Sequence, residues 1–290
     1  MLNYIKWLSG LALVSLFTVG DLPGVFPKAV ARAQTPATAP ANQKAPPTRL
    51  SARNRGGGEI SVVYQETSDP LSASLIKAYQ RYGYFEKIGA LITSEIALPR
   101  DITVVLTDCE QPNAFYSSEH HAIVMCNELT KENYRLLRAD GYSEKAALKT
   151  AILSSVFTFY HEAGHMLIHE LELPAVGREE DNVDQFSAFF LLVNDSSVDK
   201  SNSGEIILAA AKVFSLKPSS LTSAIIQDEH SLSQQRLANL VCMLYGAAPS
   251  GYQDLVKELD YSESRLAGCQ AESSKTFAAW KRLLEPYLKT

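Results

Sequence analysis

His161-Glu162-Ala163-Gly164-His165 is the stretch of this 290-residue chain whose residue types and spacing best suit chemistry. Residues four apart on an α-helix lie one turn apart on one face, so both imidazoles can reach a single metal ion. Glu162 stands beside them, placed to take a proton from a metal-bound water. This is the spacing used for zinc-assisted hydrolysis. The motif lies in a long apolar run. Ser143 to about Leu171 reads as one helix, with Ile152, Val156, Phe159 and Tyr160 marking its apolar stripe. Two unpaired His and a Glu on a buried helix are costly, and a bound metal removes that cost.

A catalytic zinc takes three protein ligands and keeps one position open. The metzincin continuation requires Gly three residues after the second His and a third His three beyond it. Ile168 and Leu171 stand there instead. Past the helix breakers Pro174 and Gly177, a second helix opens with Arg178-Glu179-Glu180-Asp181-Asn182-Val183-Asp184-Gln185 and continues through Phe186, Phe189, Phe190 and Leu192. HExxH followed by E-x-x-x-D on a second helix resembles the gluzincin metallopeptidases. The resemblance implies His161, His165 and Glu180 as ligands of Zn²⁺ and Asp184 as the group behind them. The spacing agrees, because Glu180 and Asp184 share a helix face. One carboxylate can hold the metal while the other accepts the far N–H of a ligand His. Glu179 and Asp181 are rivals for the ligand role, and a charged helix N-terminus favoured by the dipole is the plainer account of the cluster. His169 continues the His161/His165 face. It is expected at the surface or behind the ligands, since a fourth ligand would close the site.

Two further stretches resemble the same group. Asn113-Ala114-Phe115-Tyr116 is similar to the Asn-Ala-Phe-aromatic stretch of thermolysin-like and HtpX-like peptidases. It implies an edge strand that pairs with an extended substrate and leads into His121–Cys126. Asp228-Glu229-His230 with Arg236 is similar to the His-Pro-x4-Arg element of HtpX-like membrane peptidases, with Ser231 in place of the Pro. It implies His230 as a catalytic group that stabilises the oxyanion. Arg236 would anchor the segment on an acidic group near the metal. The other account of His230 is a polar residue near a helix N-terminus, with His120 and His121 as substitutes in its role. The strings HEAGH, LELP, GREED and D-E-H-x-L-x-x-Q-R-x-x-N-L-x-C resemble, over residues 58–290, a bacterial metallopeptidase family whose label carries no substrate.

The elements that must position these groups follow from periodicity. Ile60–Glu66, Ile102–Thr107 and His121–Cys126 read as strands, the last of them an edge strand. Ser72–Leu98 reads as one or two helices, and Thr130–Asp140, Ser143–Leu171 and Arg178–Val193 as one each. Residues from about 203 to 290 look wholly helical. Strands early and helices late predict an α+β fold: a zincin-like domain with a small N-terminal sheet, an active-site helix and a helical C-terminal part.

Ahead of this domain (58–290), residues 1–33 read as a signal peptide. Lys6 gives a basic start, Trp7 to Val19 a short apolar core, and Ala31-Arg32-Ala33 before Gln34 a cleavage site. The core is short for a membrane span, and an uncleaved anchor is the rival reading. Residues 34–57, rich in Pro and Ala, read as a disordered linker. The net charge of −5 becomes more negative once Lys6, Lys28 and Arg32 leave with the leader, which argues against nucleic acid and anionic membrane surfaces as partners. Four Cys in an exported chain suggest local pairs, Cys109 with Cys126 and Cys242 with Cys269. No pair has CxxC spacing, so a cysteine metal site is not expected.

The reading that unites these features is an exported, periplasmic or secreted, zinc metallopeptidase, with Glu162 as general base and a peptide or protein as substrate. Two rivals remain: a non-catalytic peptide-binding or assembly protein on a peptidase scaffold, and a metal-dependent hydrolase of another substrate. The intact Glu162 argues against the first.

Overall fold

A computed structural model describes residues 57–194, 201–217 and 222–289. The expected leader, and all of the expected linker except Gly57, lie outside the described residues. After strand β1 (Ile60–Tyr64), Asp69 accepts the Ser72 N–H and caps helix α1 (Pro70–Tyr82), with Pro70 preset for its first turn. Gly83, at φ 58°, turns the chain directly into α2 (Tyr84–Glu95). Strands β2 (Ile102–Thr107), β3 (Ala114–Ser117) and β4 (Ala122–Cys126) complete a four-stranded sheet in the order β1-β2-β4-β3. β1, β2 and β4 run parallel, and β3 returns antiparallel on β4, with Phe115 opposite Val124.

This order corrects one expectation. The strand over His121–Cys126 is not the edge. Ala122, Ile123, Met125 and Cys126 are buried between β2 and β3, as suits an apolar run with few polar alternations. The edge on this side of the sheet is β3, whose far side has no strand partner among the described residues.

Among the described residues, the rest is helical: α3 (Asn127–Ala139), α4 (Glu144–Glu170), α5 (Glu179–Asn194), α6 (Ser201–Leu216), α7 (Ser223–Gln227), α8 (Ser233–Ala247), α9 (Pro249–Glu258) and α10 (Glu263–Leu284). With the small sheet they make an α+β fold. α4 carries the HExxH motif. Ser143 caps it by accepting the Ala146 N–H. Its burial extends well beyond a stripe. α3, α5, α6 and β3 pack around it, so it runs through the middle of the molecule. α5 is held by α10 as well, where Phe186, fully buried, meets Trp280 at a ring distance of 4.9 Å. Truncating such a ring costs about 3–5 kcal/mol, so the C-terminal helices fix where α5 lies. No helix among the described residues is long and apolar enough to cross a membrane.

Two disulfides are formed, Cys109–Cys126 and Cys242–Cys269. The first links the end of β4 to the loop that feeds β3, and the second joins α8 to α10. Replacing Cys109 and Cys126 together by Ser is expected to lower unfolding free energy by about 2–4 kcal/mol. Urea denaturation of oxidised protein measures this. An unchanged midpoint would mean that the bridge does not constrain the unfolded chain.

Candidate metal centre

The site begins with Gly164. A Cβ at this position would lie 2.9 Å from the Val183 side chain and 3.1 Å from Phe186, so its absence lets α5 press against α4. That approach brings the first turn of α5, with Glu179 and Glu180, over His161 and His165. Glu180 then becomes a hub. Its carboxylate lies 2.9 Å from His161 Nε2, 3.2 Å from His165 Nε2 and 2.9 Å from His230 Nε2.

The other nitrogen of each ring also faces a carboxylate. His161 Nδ1 is 2.8 Å from Asp184, His165 Nδ1 is 2.7 Å from Glu179, and His230 Nδ1 is 3.0 Å from Asp228. A neutral imidazole carries one N–H, so with Nδ1 donating, Nε2 presents a lone pair. Three such lone pairs aimed at one carboxylate repel it unless positive charge stands among them, either a metal cation or protons on the rings. The ring pKa values are raised accordingly. Burial alone lowers the affinity of His161 for a proton, but the Asp184 and Glu180 carboxylates outweigh it and push the pKa up to about 9. Burial raises Glu180, yet the three imidazoles overcome this and hold it far below the usual carboxylate range. The donors are two or three imidazoles and a carboxylate, each imidazole backed by a second carboxylate. This set fits a borderline-soft divalent cation such as zinc.

Behind Asp184 stands Arg236 of α8. Its Nε and Nη2 each donate to the carboxylate at 2.7 Å, in a two-pronged grip, and its guanidinium lies 4.2 Å above the Phe214 ring. Burial raises the Asp184 pKa, but Arg236 and His161 outweigh it and keep the group ionised. Arg178 Nη1 donates to the His230 carbonyl at 3.1 Å and ties the start of α5 to the segment before α8. Glu162 lies beside this cluster. It is 5% exposed, and its side chain has no hydrogen-bond partner among the described residues. Burial lifts its pKa above the ordinary carboxylate value, with the neighbouring imidazoles opposing. It lines a cleft of about 390 Å³ that runs beside α4 toward Ser154.

The family model described as "Putative metallopeptidase" matches residues 64–284. The chain belongs to this metallopeptidase family. No curated protein and no solved structure matches the chain. Membership implies a metal, and the cluster of His161, Glu180 and His230, whose donor atoms lie within 4.8 Å of one another, is where this metallopeptidase can hold it.

Other residues singled out in the sequence fall into place around the cluster or outside it. Asn113 and Ala114 line the cleft beside His161 and Glu162, whereas Phe115 is exposed. Asn113 itself precedes β3, its carbonyl accepting the Cys126 N–H. Glu179, a rival for the ligand role in the sequence, partners His165 Nδ1. His169 is exposed and lies 5.8 Å from the Tyr116 ring. His120 and His121 are engaged elsewhere, His120 with Ser117 and His121 with Glu170.

Sequence reasoning missed Glu170. Its side chain is 2% exposed and is gripped by Arg100 Nε at 3.0 Å, by His121 Nδ1 at 2.6 Å and by the Tyr116 hydroxyl. It thus fastens β3 and the β3–β4 turn to the end of the metallopeptidase's α4. One signal was available: an acid in the last turn opposes the helix dipole. Burial raises its pKa, but Tyr116, His121 and Arg100 outweigh this and lower it from 4.5. A depressed carboxylate stabilises the fold above its unfolded value, and that contribution fades as pH falls through the folded value. Glu170→Gln is therefore expected to reduce stability at neutral pH, with the gap from wild type closing as pH drops below about 4.5. Melting temperatures of both proteins across pH check this. A gap that widens in acid would contradict the assigned grip.

Proposed function

We propose that this metallopeptidase is an exported zinc enzyme of gluzincin type that hydrolyses peptide bonds, with His161, His165 and Glu180 as ligands. One observation carries the reading. His161 and His165 turn their Nε2 atoms to the same carboxylate, Glu180, while separate carboxylates occupy both Nδ1 atoms. Bound zinc supplies Lewis acidity to a water and to the scissile carbonyl. The chain's own groups do the rest. Glu162 accepts the proton of the attacking water and returns it to the leaving amine. Asp184 and Glu179 hold the His161 and His165 tautomers, and Arg236 holds Asp184. Asn113 and Ala114 offer the substrate a strand edge along the cleft. The two disulfides are consistent with an oxidising compartment, which supports export.

His230 is assigned to the carbonyl oxygen: with the ring protonated at both nitrogens, its Nε2–H donates to that oxygen as negative charge develops. Asp228 orients the ring from Nδ1. The His230 side chain is 38% exposed against 5% for His161, which suits a group that meets substrate at the mouth of the cleft. The second reading makes His230 a metal ligand, favoured by its 2.9 Å approach to Glu180. His230→Ala separates the two. The oxyanion role predicts unchanged zinc content and a kcat about a hundredfold lower with little change in KM. Loss of zinc with the substitution would establish the ligand role instead.

A further inference from the structure

The cleft beside Glu162 has a wall supplied by α6 and the residue after it. Val213 and Phe214 make this wall apolar, and Lys217 ends it. The three cations of this region are not alike. Lys212 pairs with Asp140 at 2.7 Å, and Arg236 is committed to Asp184 through both prongs. Lys217 is partly buried, yet among the described residues no carboxylate comes within ion-pair distance of its ammonium. Burial lowers its pKa, and Arg236 adds to this, while Glu132 attracts it only from longer range.

The same cleft is lined by Asn133, whose amide is half used. Its Nδ2 lies 3.5 Å from Ser154 Oγ, and its Oδ1 is buried without a partner. An Asn amide can exchange its N and O positions, so this group can present either a donor or an acceptor. A partly buried cation with no counter-ion among the described residues, sharing one cleft with an underused amide and with Glu162, is suited to hold an anion.

We propose that Lys217 makes this part of the cleft a subsite for a substrate carboxylate, so that the enzyme selects peptides carrying either an acidic side chain or a free C-terminal carboxylate near the scissile bond. This rests on the peptidase reading for its meaning, but it makes a binding claim that stands apart from turnover. An ammonium–carboxylate contact shielded from water gives strong discrimination, because the amide analogue would leave Lys217 without a counter-ion.

The test uses the zinc-loaded full chain carrying Glu162→Gln, so that bound peptides are not consumed. Binding of fluorescein-labelled hexapeptides is measured by anisotropy in two series. One compares Glu with Gln at each position in turn, and the other compares a free C-terminus with its amide. The expected result is about ten- to a hundredfold tighter binding of the carboxylate member in one series, and that series identifies the source of the carboxylate. Adding Lys217→Met should bring the ratio to within about twofold, whereas Lys217→Arg should keep most of it. Equal affinity within every pair, no measurable binding of any peptide, or a ratio that survives Lys217→Met would overturn the proposal. If discrimination appears as expected but the wild-type enzyme fails to cleave the peptides that bind, the peptidase reading falls and the subsite stands.

Discussion

Glu162→Gln will leave a protein that folds and binds metal but cleaves peptides on the order of a thousandfold more slowly. The amide matches the carboxylate in size. Glu162 is buried and its side chain makes no hydrogen bond among the described residues, so the substitution breaks none. What it removes is the ability to accept a proton beside the metal. Burial raises the Glu162 pKa, and the neighbouring imidazoles oppose this. The expected signature is a fall in kcat/KM with unchanged zinc content and unchanged circular dichroism. Near wild-type turnover in this variant would remove Glu162 from the mechanism.

Loss of the metal itself should be the other large effect. His161→Ala or His165→Ala is expected to abolish stoichiometric zinc binding, and with it activity. The carboxylates should then separate by what they touch. Glu180→Ala takes away the group on which three imidazoles converge and should weaken zinc binding most. Asp184→Asn should be milder, about ten- to a hundredfold, because it disturbs the orientation of His161 rather than a donor to the metal. Glu179→Ala should resemble Asp184→Asn, since Glu179 backs His165 in the same way. Asp181→Ala should do least. Elemental analysis of untagged protein gives metal identity and content, and chelator competition gives the affinities. Equal losses at Glu179, Glu180, Asp181 and Asp184 would reduce the cluster to a generic acidic patch and sink the ligand assignment.

The legible part of this site is the part that repeats along a helix. His161 and His165 are four apart, as are Glu180 and Asp184, and a spacing of four is already a contact in space once the helix forms. The apolar run from Ser143 to Leu171 signals that helix through its period, and the bounds of α4 fall within a residue of it. Strand β2 is legible for a similar reason, its alternation placing Ile102, Val104 and Leu106 in the core. The edge assignment was not legible. β3 is four residues long and β4 is an apolar run that suits either position, and only the pairing of β4 with both β2 and β3 decides which is covered.

From the sequence alone came the family resemblance, the motif with its metal chemistry, the helices that carry it and the α+β class. These depend on local periods and on residue types, which one segment contains in itself. The tertiary structure decided which carboxylate meets which nitrogen. Glu179 on His165, Asp184 on His161 and Glu180 on His230 follow from how α5 and the segment before α8 cross α4, a crossing set by the missing side chain at Gly164 and by Phe186 against Trp280. It also gathered Arg100, Tyr116 and His121 around Glu170, and left Lys217 facing the cleft without a counter-ion among the described residues. No local pattern encodes such contacts. Their partners lie tens of residues apart, and the angle and depth at which two helices meet are settled by packing of side chains from every element around them.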